Sequence, residues 1–206
     1  MNYIFDLFGT LIDCDMDRYR CIMSEYFGLT IREYETRVRP FIDNREFPSE
    51  EEALDGLLQH LRIEISEESK RDFLSKLKHW KENLYIKEED LKLLEQLRES
   101  GGIVGVLSNA STFIEEVINK TRVYQYVDLA VFSHKVGISK PDRRIYKYAL
   151  TLMNCRPNEV TMVGDQLEKD VLVPISLGMR GILFDPKDQH VDYEGSRIKS
   201  LRGLII

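Results

Sequence analysis

From about residue 87 to residue 184, short apolar runs alternate with segments whose apolar residues recur every three or four positions. The runs at 103–107, 129–132, 159–163 and 181–184 predict buried strands, and the segments between them predict amphipathic helices. Strands linked by helices pair in parallel through right-handed crossovers, and helices then cover both faces of the sheet. The fold class is therefore predicted to be α/β, built on a parallel sheet.

The N-terminus is predicted to add one more strand to this sheet. The apolar run at 3–5 ends at Asp6, and Gly9 and Thr10 follow, which is typical of a buried strand that delivers a carboxylate to a turn. From there to about residue 85 the chain is rich in charge, and its apolar residues have helical spacing. We predict a core of residues 1–13 and 86–206, interrupted at 14–85 by an insert of about four helices. After residue 185 the sequence leaves open whether the tail adds a strand or a helix.

Three later segments are predicted to meet Asp6 in space. Each lies at the end of a predicted strand or in a loop beyond one: Ser108 with Asn109, then Lys140, then Asp165 with Asp170. Ligands of parallel α/β sheets bind beyond the carboxyl ends of the strands. The sequence therefore predicts one site, assembled from residues that are far apart along the chain.

The charged members of this set suit phosphoryl transfer. A carboxylate such as Asp6 can attack phosphorus and form an aspartyl-phosphate, which splits one difficult displacement into two easier ones. Together with Asp6, Asp165 and Asp170 offer an all-oxygen site suited to Mg²⁺. A metal there screens the repulsion between two negative groups, and Lys140 can pair with both Asp6 and the phosphate. Asp6 and Lys140 are the predicted catalytic residues.

The neutral members are predicted to hold phosphate oxygens. The donors are the Ser108 hydroxyl, the backbone N–H groups of Asn109 and Ala110 at a helix start, and the turn that contains Gly9 and Thr10. Taken singly, each predicted site residue also fits an ordinary role as a turn, cap or surface residue. Their joint order along the chain favours a site over coincidence.

The segments that carry these residues resemble the four motifs of the haloacid dehalogenase (HAD) superfamily, over the whole chain. The matching segments are 6–11 (DLFGTL), Ser108–Asn109, Lys140–Pro141, and Gly164–Asp165 with Asp170. The resemblance, to the dehalogenase-like and phosphoglycolate-phosphatase-like branch, implies a Rossmann-like core, Mg²⁺ and a covalent intermediate on Asp6. It also implies that the insert is a cap that closes over the site and selects the substrate.

The resemblance further implies the metal ligands and exposes one departure. The ligands are Asp6, the backbone carbonyl oxygen of Phe8 and Asp165, with Asp170 supporting the metal directly or through water. Phosphatases of this family carry a second Asp where this chain has Phe8, and that Asp protonates the leaving group and activates water. Such a positioned acid–base group contributes about 10²–10⁴-fold to the rate. Asp13 and Asp15 are nearby carboxylates, but the sequence favours hinge or surface roles for both.

Phe8 leaves two alternatives to a Mg²⁺-dependent phosphatase of small phosphorylated metabolites. The first is a 2-haloacid dehalogenase-type hydrolase, because haloacid dehalogenases also lack that second Asp, attack carbon and need no metal. The second is a catalytically impaired HAD-fold binding protein. Asp165 and Asp170 favour the phosphatase, because buried carboxylates without a cation are costly. The cap carries six arginines able to bind a substrate anion, and the sequence singles out none of them: Arg18, Arg20, Arg32, Arg37, Arg39 and Arg45.

Composition limits the partners. A net charge of −6 over 206 residues argues against nucleic-acid binding and against binding to anionic membranes, which need a basic surface. No apolar run approaches the roughly 20 residues that span a bilayer. Three cysteines without metal-type spacing predict reduced thiols in the cytoplasm, and residues 1–12 do not resemble a signal peptide. The expected partner is a small phosphorylated molecule, and the sequence leaves the oligomeric state open.

Overall fold

The computed structural model describes residues 1–14 and 16–205, and in that part of the chain a parallel sheet of six strands forms the centre. The order across the sheet is β3-β2-β1-β4-β5-β6, and all neighbouring strands are parallel. The strands are β1 (Asn2–Phe5), β2 (Val104–Ser108), β3 (Leu129–Phe132), β4 (Val160–Gly164), β5 (Arg180–Phe184) and β6 (Arg197–Ile198). The five predicted strands are confirmed, and the tail adds both the short β6 and a 3₁₀ turn at Leu201–Leu204.

The strand order places the N-terminal strand at the middle of the sheet. From β1 the chain builds outward on one side through β2 and β3, and on the other side through β4, β5 and β6. The point where the order reverses leaves a crevice at the carboxyl ends of the strands, which is where ligands bind in such sheets. Asp6 follows β1 and Asp165 follows β4, so both carboxylates lie at this crevice.

Helices cover the sheet and form the insert. They are α1 (Met16–Tyr26), α2 (Ile31–Glu33), α3 (Arg39–Ile42), α4 (Glu50–Leu61), α5 (Glu67–Lys81), α6 (Glu88–Glu99), α7 (Glu115–Lys120), α8 (Ser133–Val136), α9 (Arg143–Met153) and α10 (Val173–Ser176). Two π-helical segments, Tyr34–Val38 and Leu167–Leu172, lead into α3 and α10 respectively. Helices α1 to α5 lie between β1 and β2, and a bridge between Ile12 and Ile86 joins the two connections to the core. We call the insert of residues 14–85 the cap, and its boundaries stay a prediction.

Two apolar clusters hold these layers together. Because successive strand residues point to opposite faces, Tyr3 and Phe5 join the larger cluster while Ile4 joins the smaller one. The smaller cluster lies under α9, whereas the larger one continues into the cap, where Phe73 of α5 meets Phe113 of the core edge to face at 5.9 Å. Burial of apolar surface stabilises the folded state by roughly 25 cal/mol per Å². Because the larger cluster includes residues of both the cap and the core, it also holds the two together.

Polar contacts fix where the cap sits. Lys81 of α5, with a 3% exposed side chain, pairs with Glu50 of the cap and lies 3.5 Å from Glu116 of α7. The Phe47 N–H donates to Thr112 Oγ1 at 3.0 Å. These contacts anchor the cap a few residues beyond the end of β2, which places it over the crevice.

None of the helices in the described part of the chain is long and apolar enough to cross a membrane. Cys14, Cys21 and Cys155 are all free thiols.

Candidate active site

A buried lysine joins two carboxylates at the crevice. Lys140 Nζ lies 2.7 Å from Asp6 Oδ1 and 2.7 Å from Asp170 Oδ1. The Asp6 N–H donates to the Val163 carbonyl oxygen at 2.9 Å, which fixes the end of β1 against β4. Since charge-assisted hydrogen bonds are about twice as strong as neutral ones, this bridge holds the predicted catalytic pair Asp6 and Lys140 in one rigid unit.

The third carboxylate completes a cluster. One oxygen each from Asp6, Asp165 and Asp170 can be chosen so that all lie within 4.8 Å of one another. Asp165 Oδ1 is buried and has no hydrogen-bond partner in the described part of the chain. Both oxygens of Asp170 are engaged, by Lys140 and by the N–H of Gln166 at 3.0 Å. Three oxygen ligands at this spacing, one of them without a hydrogen-bond partner, fit a divalent cation. Asp6 and Asp165 have oxygens available to coordinate it, and Asp170 would support the metal.

The pKa values of three clustered side chains are shifted by burial and by the charges around them. Burial, followed by the charges of Asp6 and Asp170, raises the pKa of Asp165 to about 7. Burial also raises the pKa of Asp170 to about 6, although Lys140 opposes the shift. Burial lowers the pKa of Lys140, but Asp170 and Asp6 overcome that effect and the net pKa lies above its ordinary value. The lysine therefore stays charged, while burial and mutual repulsion disfavour the ionised forms of Asp165 and Asp170.

Two glycines make room for these carboxylates. A Cβ at Gly9, whose φ is +87°, would lie 2.5 Å from Asp165 Oδ2. A Cβ at Gly164 would lie 2.3 Å from Asp170 Oδ2. Real Cβ atoms do not approach other atoms so closely, so glycine at both positions lets the acidic side chains reach the crevice.

Asn109 holds the lysine loop. Its Oδ1 accepts the Lys140 N–H at 2.7 Å, and its Nδ2 donates to the Lys140 carbonyl oxygen at 2.8 Å. The Asn109 amide therefore positions Lys140, and its predicted contact with substrate stays a prediction. Ser108 lies beside it and is 1% exposed. The expectation for the Ala110 N–H is wrong, because that group donates to Ser133 Oγ at 3.0 Å rather than facing a phosphate.

Replacing Asn109 by alanine should lower stability. The change leaves the Lys140 N–H and carbonyl without their partners in a buried loop, which costs about 1–3 kcal/mol for an unsatisfied group. Urea denaturation of Asn109→Ala measures this, with Asn158→Ala, an exposed position, as the matched control. Equal midpoints for the two variants would show that the two hydrogen bonds do not hold the loop.

The remaining residues of the first motif divide between the site and the core. Gly9 and Thr10 line a cavity of about 600 Å³ together with Asp165. Thr10 Oγ1 is buried and has no hydrogen-bond partner among the described residues. Phe8 instead belongs to the larger apolar cluster and is 5% exposed. The first motif therefore places Gly9 and Thr10 in the cavity beside Asp165 and the Phe8 side chain in the core.

Of the two carboxylates near the first motif, Asp13 lies at the edge of this cavity. The Asp13 side chain is 77% exposed and lies 3.9 Å from Lys87, so it is a surface group. Asp15 lies outside the described residues. Cys14 lines the cavity, but burial raises the pKa of its thiol to about 12, with the charges of Asp6 and Asp165 adding to the shift. The raised pKa favours the protonated thiol, which is a poor nucleophile.

Several charged side chains cluster where the cap meets the core, and the sequence did not single them out. Arg39 Nε lies 3.2 Å from Asp43 Oδ2, and Arg39 Nη1 lies 3.0 Å from Glu35 Oε2. Burial raises the pKa of Asp43 to about 6, with Arg39 opposing the shift. Burial, then Arg39 and Lys140, lowers the pKa of Lys169. Arg39 was one of six equivalent candidates, and its spacing of four positions from both Glu35 and Asp43 could have marked it. Lys169 carried no signal, because only the packing of the cap on the core brings it near them.

Comparison with known proteins identifies relatives of this chain. A family model described as haloacid dehalogenase-like hydrolase matches residues 2–178. A ribulose-1,5-bisphosphate 5-phosphatase of Halopiger xanaduensis is 32% identical over 97 residues, which is 47% of this chain and 41% of that protein. A glyceraldehyde 3-phosphate phosphatase of Methanothermobacter thermautotrophicus is 32% identical over 108 residues, which is 50% of this chain and 48% of that protein. The matched regions thus span less than half the length of these two relatives.

Solved structures share the fold over nearly the whole chain. A HAD family enzyme of Bacteroides thetaiotaomicron, in complex with magnesium, is 23% identical and has a TM-score of 0.67 over 94% of this chain and 98% of that one. A protein described as a dehalogenase is 22% identical, with a TM-score of 0.65 over 98% of this chain and 94% of that one. At these identities the likeness shows the fold alone.

Proposed function

Because this chain belongs to the haloacid dehalogenase-like hydrolase family, we propose that it is a Mg²⁺-dependent phosphatase of a small phosphorylated metabolite. The observation that carries the proposal is the cluster of Asp6, Asp165 and Asp170, with Lys140 bridging two of its members. The two relatives named above, both phosphatases, support the same reaction. Three carboxylates and one ammonium at a parallel-sheet crevice suit an anionic substrate only when a cation is added.

Asp6 is the proposed nucleophile. One of its carboxylate oxygens forms a bond to phosphorus as the ester P–O bond breaks, and the leaving alkoxide takes a proton from water. A second water then attacks phosphorus, which releases inorganic phosphate and restores the Asp6 carboxylate. Lys140 orients Asp6 through the 2.7 Å contact, and the Thr10 hydroxyl is available for a phosphate oxygen.

The metal would be held by Asp6, Asp165 and the backbone carbonyl oxygen of Phe8, with Asp170 in support. When bound, Mg²⁺ supplies positive charge that offsets the repulsion between Asp6 and the phosphoryl group. The unpartnered Asp165 Oδ1 is the feature of this chain that fits such an ion. Asp170 contributes mainly by fixing Lys140, since both of its oxygens already accept hydrogen bonds.

A dehalogenase is the second candidate, and Phe8 favours it. A buried phenyl ring offers no proton to a leaving alkoxide, whereas a halide leaves without one. Against it stands Asp165, whose buried and unpartnered Oδ1 suits a cation that a dehalogenase does not need. The two functions separate in one assay: a panel of phosphate esters and 2-halo acids, each with Mg²⁺ and with a chelator. Phosphate release that requires Mg²⁺ supports the proposal, and halide release that persists in chelator overturns it.

The metal-free protein should lose stability as pH rises from 5 to 8. Asp165 and Asp170 have folded pKa values of about 7 and about 6, against roughly 3.9 in an unfolded chain. Because they bind protons more tightly when folded, their contribution is fully present below about pH 4 and is lost as pH rises through 6 to 7. A loss of ~2 kcal/mol lowers the melting temperature by about 4–8 °C in a chain of this size. Mg²⁺ should restore the melting temperature at pH 8 and change it little at pH 5.

Differential scanning fluorimetry at both pH values, with and without Mg²⁺, measures this. Asp165→Asn is the control, since it keeps the shape of the side chain and removes the charge. It should show a smaller loss between pH 5 and pH 8 and little response to Mg²⁺. Identical behaviour of the variant and the wild type would contradict the assignment of Asp165. A cytoplasmic location stays a prediction that rests on the three free thiols.

A further inference from the structure

We propose that Lys169, facing Arg39 across the cap–core cleft, receives a second anionic group of the substrate. The substrate would then be a phosphate ester that also carries a carboxylate or a second phosphate. This inference rests on the proposed phosphatase function and adds the class of substrate to it.

Lys169 is a cation without a partner. Its side chain is partly buried on the π-helical segment Leu167–Leu172, next to Asp170. Among the described residues, no carboxylate lies within ion-pair distance of Lys169 Nζ, and no hydrogen bond of Nζ is recorded. Arg39 and Lys140 act on it as like charges, and Glu35 and Asp43 oppose them from beyond ion-pair distance. An anion bound directly to the ammonium would supply the contact that these two carboxylates do not make.

The cleft gives such an anion room. A cavity of about 570 Å³ lies between the cap and the core, with Arg39 on the cap side and Lys169 and Gln166 on the core side. It shares Asp17, Arg20 and Gln166 with the 600 Å³ cavity that contains Asp165 and Thr10. The two cavities therefore meet, so one extended molecule can place its phosphoryl group at the carboxylate cluster and its other end at Lys169.

Among the described residues, the neighbouring acidic groups make no direct contact with the Lys169 ammonium. Glu35 is shared by two arginines, at 3.2 Å from Arg20 Nε and 3.0 Å from Arg39 Nη1. Asp43 is held by Arg39 Nε at 3.2 Å, and Glu168 is exposed. Because Arg39 is already fixed by Glu35 and Asp43, it contributes a preorganised charge, and Lys169 is the group free to bind.

The test compares esters that differ in the group at the far end. For the carboxylate, 3-phosphoglycerate is compared with glycerol 3-phosphate, in which a hydroxymethyl group replaces it. For the phosphate, propane-1,3-diol bisphosphate is compared with the monophosphate. The wild type should prefer the anionic member of at least one pair, and the preferred pair identifies the group. In Lys169→Met that preference should shrink by about tenfold or more, as expected for a lost charge-assisted hydrogen bond, through KM rather than kcat.

Two further variants make the result specific. Lys169→Arg keeps the charge and should keep the preference. Lys147→Met, at an exposed position of α9, should leave both the preference and the activity unchanged. Equal loss for both members of a pair in Lys169→Met would overturn the inference, and so would a wild-type preference for the neutral members.

Binding separates this inference from the phosphatase proposal. Dissociation constants of the same esters are measured by calorimetry in an Asp6→Asn background, with Mg²⁺, where turnover does not interfere. Tighter binding of the anionic ester that disappears with Lys169→Met supports the inference, even if the wild type hydrolyses neither ester and the phosphatase proposal fails. Equal affinities for the two members of a pair, with and without Lys169→Met, overturn the inference, even if the phosphatase proposal stands.

Discussion

Asp6→Asn is expected to reduce phosphate release by about 10⁴–10⁶-fold, the range found when a nucleophile is removed from a covalent mechanism. The amide has no negative oxygen to attack phosphorus. Its Oδ1 can still accept a hydrogen bond from Lys140, which lies 2.7 Å from Asp6 Oδ1 in the native chain. Folding should therefore survive, so the loss reports chemistry. Phosphate release is measured under saturating substrate and Mg²⁺.

Asp72→Asn is the matched control for this loss. It makes the same chemical change at a side chain of α5 that is 53% exposed and lies outside the cavity that contains Asp165. Its activity should stay within about twofold of the wild type, since surface changes have small effects. Asp6→Asn with more than a tenth of wild-type turnover, and an unchanged melting temperature, would show that Asp6 is not the nucleophile.

Phe8→Asp is expected to accelerate phosphate release by about 10²–10⁴-fold, the contribution of a positioned acid–base group. The wild type has a buried phenyl ring where phosphatases of the family carry a carboxylate. The aspartyl-phosphate of the wild type should therefore be hydrolysed slowly and accumulate. In Phe8→Asp, the new carboxyl would supply the proton for the leaving group and activate water for the second step. Rapid acid quench, followed by mass analysis of the phosphorylated chain, measures the intermediate directly.

Phe8→Asn separates proton transfer from packing. Both variants remove Phe8 from the larger apolar cluster, so both should lose about 3–5 kcal/mol of stability, as large-to-small core changes do. Asparagine matches the size of aspartate but cannot exchange the proton. Equal phosphate release by the two variants would contradict a missing acid–base group at position 8.

The sheet was predictable because its signals are local. Each of β1 to β5 is an apolar run bounded by turn residues, and the α/β alternation then restricts the pairing to a parallel sheet. The meeting of Asp6, Asp165 and Lys140 followed from the same rule, since parallel strands bring their carboxyl ends to one edge. These predictions needed the direction of the strands, and no knowledge of side-chain contacts.

The rest depends on contacts that no local pattern records. Whether Asn109 holds a phosphate or the Lys140 backbone depends on a loop 31 positions away. The Ala110 N–H is taken by Ser133, which lies beyond the next strand. The π-helical segment that carries Lys169 and Asp170 has helical spacing in sequence, so periodicity cannot distinguish it from an α-helix.

The central claim is that Asp6, Asp165 and Asp170 gather around a divalent cation. The most direct measurement is the anomalous difference density of crystals grown with Mn²⁺, a scattering substitute for Mg²⁺. We predict one peak within coordination distance of carboxylate oxygens of Asp6 and Asp165, lost in crystals of Asp165→Asn. Wild-type crystals in which the three carboxylates point as described here, yet enclose only water at a saturating Mn²⁺ concentration, would contradict it.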